Sequence, residues 1–124
     1  MKQKNCELCD RVFTVKGRRC PSCVCKIRRV KHKHAAILHL GGICAWCGLS
    51  YNIQNLAAFE FHHLDPTNKD FQIGKASNKS WDVLRIELDK CLLVCSNCHS
   101  IYHAKKEDNI LSAALGEQYL ASLA

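Results

Sequence analysis

No stretch of this 124-residue chain is apolar for long enough to cross a membrane, and its opening residues, MKQKNCELCD, hold no apolar run of the kind that marks a secretory signal. Both absences argue against export, and they decide how the abundant cysteine is read. Ten Cys in 124 residues mean either a disulfide-stapled secreted scaffold or a metal-stapled intracellular protein, and without an export signal the metal reading prevails. Aromatics are scarce. The nine present are spread over the whole length, so no stacking surface for RNA stands out. A mass of 14.0 kDa suits one small domain, or a domain with an appended module, around a small core.

Eight of the ten Cys fall in C-x-x-C pairs: Cys6/Cys9, Cys20/Cys23, Cys44/Cys47 and Cys95/Cys98. This is the spacing of zinc knuckles. Residues 5–25 read as a small zinc ribbon built on the first two pairs, with a short β-like run at Val12–Val15 and a turn at Gly17. Cys25 competes with Cys23 as fourth ligand. Four thiolates close a tetrahedral shell, so this zinc is expected to be structural, and a module this short needs it in order to fold. Cys44/Cys47 has no neighbouring pair, and the one knuckle left for it is Cys95/Cys98, about fifty residues on. A second structural zinc would therefore tie the start of the main domain to the start of its last motif.

Charge is uneven. Residues 1–34 hold eleven Lys or Arg against Glu7 and Asp10, whereas the remaining seven basic residues face nine acidic ones. A basic arm joined to a near-neutral domain is an electrostatic footprint for nucleic acid. Its candidate contacts are Arg18, Arg19, Lys26, Arg28, Arg29, Lys31 and Lys33. Residues 26–40 are expected to form one helix, basic in its first half and apolar in its second, stopped by Gly41-Gly42. His32, His34 and His39 lack ligand spacing and read as solvent or packing residues. The divisions expected are a ribbon over 1–25, a linking helix over 26–42 and a domain over 43–124.

Within that domain, FEFHH (residues 59–63) alternates like a half-buried strand and delivers His62 and His63 at its end. LDPTNKD follows as a turn, in which Asp65 reads as a turn residue. Ser80 caps an expected helix, WDVLRIELDK, with Trp81, Leu84, Ile86 and Leu88 apolar and Asp82, Arg85 and Glu87 wet. CLLVC reads as a strand antiparallel to AFEF, and CSNCHSIYH then places His99 and His103 four residues apart, on one helix face. Four imidazoles converge in this arrangement. They supply one general base near neutral pKa and up to three ligands for a divalent ion. Leu111, Leu115, Tyr119 and Leu123 recur every four residues and mark a C-terminal amphipathic helix for packing or dimerisation.

ICAWCG, FEFHHLDPTNKDFQI and SWDVLRIELDKCLLVCSNCHSIYH together resemble the HNH endonucleases. The resemblance implies an α+β, zinc-stapled fold with a ββα-metal core, here preceded by a zinc ribbon and flanked by helices. It implies one-metal cleavage of double-stranded DNA to 5′-phosphate and 3′-hydroxyl ends, with His63 as general base and His62, His99 and His103 holding Mg2+, Mn2+ or Ni2+. It also points to the cytoplasm of a bacterial or phage-infected cell, as a monomer, a homodimer or part of a DNA-processing complex of phage or host. The family's central Asn is replaced by Lys90, which would contact phosphate instead. A non-catalytic zinc-binding adaptor for nucleic acid on the same scaffold is the alternative.

Overall fold

The computed structural model describes residues 2–115 and 121–123, with only the backbone course given for 106–115. It is an α+β molecule with two small antiparallel sheets. Strands β1 (Lys4–Asn5) and β2 (Val12–Phe13) pair in the first sheet. They are followed by helix α1 (Pro21–His39), strand β3 (Phe59–His63), helix α2 (Trp81–Leu88), strand β4 (Cys91–Cys95) and helix α3 (Ser96–Leu115). Among the described residues no helix is long and apolar enough to cross a membrane.

The N-terminal module is a two-residue hairpin closed by sulfur. Asp10, directly after Cys9, adopts a left-handed φ of 62°, and its N–H reaches the Cys6 carbonyl at 3.0 Å. Gly48, directly after Cys47, does the same with φ 79° and an N–H on the Cys44 carbonyl at 3.0 Å. Both knuckles thus turn through one geometry, which glycine adopts without strain and Asp tolerates.

Helix α1 starts five residues before the expected Lys26, because Pro21 has the φ that suits a first helical position and no N–H to waste there. Cys23 and Cys25 therefore sit on the helix, and the expected ribbon boundary at 25/26 runs through it. At the other end Gly41 and Gly42 take φ of 96° and 69°, and the Gly42 N–H caps the Ile37 carbonyl at 3.0 Å, as the Gly-Gly stop predicts.

β3 and β4 pair antiparallel with Phe59 opposite Cys95 and His63 opposite Cys91. α3 follows β4 without a break. Alternation along β3 splits its side chains, with Phe59 and Phe61 on the core side and Glu60 and His62 toward α3. Phe59 is fully buried among Ile37, Cys44, Leu93 and Val94, while Ala36, Ala76, Leu84 and Leu88 form a second cluster. Ala36 and Ile37 are neighbours on α1, so this one helix anchors both.

Helix α2 begins as expected, with Ser80 Oγ accepting from the Val83 N–H. Its faces differ from the sequence reading. Glu87, expected to be wet, is 1% exposed, while Trp81 and Ile86 are 41% and 57% exposed. Glu87 lies one turn from Leu84 and next to Leu88 on the buried side, and ion pairing keeps it there. α3 is one helix through residues 111 and 115. Of the expected apolar repeat, Tyr119 and the side chains of Leu111 and Leu115 lie outside the described residues, and Leu123 is exposed.

Phe59→Ala removes the largest fully buried side chain among the described residues from the junction of α1, β3 and β4. Chemical denaturation at saturating zinc should show a loss of about 3–5 kcal/mol.

Candidate metal centre

Among the described residues, three groups of side chains that could ligate a metal converge: Cys6, Cys9, Cys20 and Cys23; Cys44, Cys47, Cys95 and Cys98; and His62, His99 and His103. The two sulfur groups are the pairings expected from the knuckle spacing. The Sγ atoms of Cys9 and Cys20, and of Cys47 and Cys95, lie 3.6 Å apart. Zinc–sulfur bonds of about 2.3 Å place tetrahedral sulfurs about 3.8 Å apart, so both shells fit Zn2+. The competition at the first is resolved for Cys23. Cys25 lies outside the shell and accepts from Arg28 Nη2 at 3.1 Å.

Backbone N–H groups aimed at sulfur prepare both shells. The Cys20 N–H, 3.3 Å from Cys6 Sγ, is the main cause that brings the Cys6 thiol down to about 6. At Cys44 burial works the other way, but N–H groups of Cys95, Trp46 and Cys47 together outweigh it and bring the thiol to about 6 as well. Cys23 is pushed up to about 12 by hydrogen bonding to Cys9 and by burial, and Cys98 to about 12 by burial and its three sulfur neighbours. Without an ion each cluster favours some thiolates at the expense of others, and a divalent cation removes that conflict.

The second shell fixes the third group. Cys95 ends β4 and Cys98 lies in the first turn of α3, so tying both sulfurs to Cys44 and Cys47 sets the direction in which His99 leaves that turn. Trp46, between the two Cys of the knuckle, packs 5.2 Å from the His62 ring and stacks on Tyr102 at 5.2 Å and 27°. The structural shell is thus in direct packing contact with the histidines.

His62 Nδ1 lies 3.4 Å from His99 Nε2, and His103 Nε2 lies 3.1 Å from it. Metal–nitrogen bonds of about 2.0–2.1 Å place two nitrogens on one ion about 3.0–3.4 Å apart, so these spacings fit a shared cation. Glu60 hydrogen-bonds His99 Nδ1. Its carboxylate can only accept, so His99 keeps a proton on Nδ1 and presents a bare Nε2 to the shared point. Three ligands would leave coordination positions open on an ion held there.

His63 is not part of this group. It projects from the other side of β3, 9% exposed at its side chain, and its Nε2 lies 2.8 Å from Glu87 Oε1. Burial would raise the Glu87 carboxyl, but hydrogen bonds from Lys90, His63 and the Asp70 N–H outweigh it and hold the group at about 2. Glu87 is therefore an anion that only accepts. A neutral His63 donates from Nε2 and keeps its lone pair on Nδ1.

Lys90, expected to contact phosphate, is engaged within the protein. Its ammonium meets Glu87 at 2.9 Å, Asp70 at 3.0 Å and the Asn68 carbonyl at 2.9 Å, which engages all three of its protons. Asp65 is a turn residue as expected, accepting from the Thr67 N–H and hydroxyl. Of the basic arm, Arg19 pairs with Glu7 at 2.8 Å, while Lys26 and Lys31 are exposed. Arg29 and Lys33 line a cavity that His63 and His99 also reach. His34 bonds the Tyr51 hydroxyl and His39 bonds Asp89, as packing residues do.

Glu60, Glu87 and Trp46 were missed from sequence. Glu60 had a signal, since it stands two residues before His62 on the same strand face. Glu87 had only its one-turn spacing from Leu84 and Lys90.

The site and fold together define a small α+β protein that has, among the described residues, two four-cysteine clusters of zinc-binding type and a separate three-histidine cluster that could hold a metal ion. The chain matches no family model, no curated protein and no solved structure.

Protein with both four-cysteine sites filled by zinc should take up one further transition ion, read by titration with Co2+. His103→Ala should abolish that binding, and Glu60→Gln should weaken it about 10–100-fold.

Proposed function

We propose that the protein is a metal-dependent endonuclease of the HNH type, hydrolysing DNA phosphodiester bonds with His63 as general base and His62, His99 and His103 as the ligands of a divalent ion. The observation that carries this reading is the convergence of three imidazole nitrogens from β3 and α3, with a fourth imidazole held separately by a buried carboxylate. A structural zinc site has no use for open positions or for a spare oriented base. Hydrolysis of a phosphodiester requires both.

In this reading His63 Nδ1 accepts the proton of the attacking water, and Glu87 holds the ring in the tautomer that makes this possible. As the ring becomes imidazolium, the Glu87 anion stabilises it from 2.8 Å away. Lys90 keeps Glu87 ionised and in place, so the residue that stands where the family has Asn acts through Glu87 and not on the substrate. Arg29 and Lys33 offset backbone charge beside the reacting bond. A bound divalent ion supplies charge stabilisation at the phosphoryl oxygen and the departing 3′-oxygen. Imidazole donors suit Ni2+ better than Mg2+ or Mn2+, which prefer oxygen. Products carry 5′-phosphate and 3′-hydroxyl ends, and a monomer with one centre nicks one strand.

Zinc-loaded protein is expected to convert supercoiled plasmid to the nicked form only when Mn2+, Ni2+ or Mg2+ is added. His63→Ala should lower the rate about 10²–10⁴-fold while DNA binding persists. Glu87→Gln should reduce kcat and leave KM nearly unchanged, since Glu87 orients the base and does not touch substrate. A parent protein that binds plasmid but cuts under none of these ions would sink the nuclease reading in favour of a zinc-stapled nucleic-acid adaptor.

A further inference from the structure

Beside the histidine centre lies a cavity of about 480 Å³ between α1, β3 and the segment that precedes α2. Its volume is in the range of pockets that enclose small ligands, about 300–1,000 Å³. Cations gather on it. Exposed Arg29 and Lys69 and half-buried Lys33 line it, and burial pushes the Lys33 ammonium below its ordinary range while Glu60 opposes that shift. The partly buried Phe61 and Ile73 give it an apolar wall.

Two further observations point to a ligand. His32 is on the same lining and on that of a second cavity, and its Nδ1 is the one buried side-chain nitrogen or oxygen among the described residues without a hydrogen-bond partner. A buried polar atom left unmatched costs stability, which a bound acceptor or donor recovers. His63 and His99 also form part of the wall, so whatever fills the cavity is contiguous with the reacting centre.

We infer that this cavity receives one unpaired nucleotide of the substrate strand, its phosphate against Arg29, Lys33 and Lys69 and its base against Phe61 and Ile73, with the His32 imidazole beside its polar edge. A stacked base pair offers only its groove edges, so intact duplex cannot fill a concave apolar-walled space. A nucleotide out of the stack presents a flat apolar face, a polar edge and an anion, which are the three features the lining matches. This deepens the nuclease reading and rests on it for the substrate: DNA carrying an unpaired nucleotide next to the cut, rather than uniform duplex. It also gives α1 a specific task, since Arg29, His32 and Lys33 belong to the cleft and not to a remote anchor.

The test is binding without turnover. Full-length zinc-loaded protein, with no other divalent ion, is titrated into a fluorescein-labelled duplex carrying one bulged nucleotide and into its fully paired counterpart, with anisotropy as the readout. The bulged duplex should bind about tenfold tighter or more, from stacking and phosphate contacts together. Thymidine 5′-monophosphate should compete for the bulged duplex at concentrations where inorganic phosphate does not. Gln72→Trp and Ser77→Trp, which fill the cavity from two positions on its wall, should each remove the preference and leave affinity for paired duplex unchanged. Equal affinity for the two duplexes overturns the inference, as does equal competition by phosphate, which would make the cavity an anion site only. A preference that survives whichever filled variant folds overturns it too. Because nothing is cleaved, a preference shown by a protein that does not cut would retain the cavity and discard the nuclease. Cutting without preference would do the reverse.

Discussion

Closure of Cys44 and Cys47 onto Cys95 and Cys98 is the constraint on which the rest of the main domain depends. It joins segments about fifty residues apart, at the point where β4 becomes α3. The Cys95 N–H donates to Cys44 Sγ at 3.2 Å, and the Ala45 N–H donates to the Leu93 carbonyl at 2.8 Å, so the knuckle is stitched to β4 by backbone as well as sulfur. A core this small could not fix the exit of a 20-residue helix by apolar contact alone. The sulfur shell does so within one turn, and His99 is the next residue after Cys98. Loss of the shell would therefore cost the position of the imidazoles before it cost the secondary structure, because Trp46 couples the knuckle to His62 through ring packing.

The second organising fact is strand alternation at the His pair. His62 and His63 are adjacent, so the pleat sends them to opposite faces of β3. One meets α3 and shares a nitrogen cluster, the other meets α2 and a buried carboxylate. Adjacent side chains of one type are thereby given different surroundings, His62 against His99 and Trp46 and His63 against Glu87. The alternation also explains the two acids. Glu60 lies on the His62 face and reaches His99, while Glu87 arrives from α2 on the His63 face.

Much of this was legible in the sequence because it is written in short spacings. The C-x-x-C pairs, the His99/His103 step, the FEFHH alternation and the Gly-Gly stop each encode a local geometry, and each is found where expected. What was not legible depends on elements that meet only in three dimensions. Glu87 reads as a wet residue of an amphipathic helix until β3 brings His63 and the 68–70 turn brings a backbone N–H to it. Lys90 reads as a surface cation until Glu87, Asp70 and the Asn68 carbonyl surround it. The early start of α1 has a local signal in Pro21, which suits a first helical position.

The ion cluster of Lys90, Glu87, Asp70 and His63 shows what a lysine at position 90 does for the acid one turn before it. A buried carboxylate is costly unless paired and fully hydrogen-bonded. Glu87 meets that condition by accepting from His63, from the Asp70 N–H and from Lys90, and Lys90 in turn is neutralised by Asp70 as well. A neutral amide at position 90 could still donate one hydrogen bond but would leave the Glu87 charge uncompensated, raising its carboxyl toward protonation and loosening its hold on the His63 ring. The residue at position 90 and the acid at position 87 are therefore one device. On this argument Lys90 is what a buried carboxylate holding His63 requires at that position.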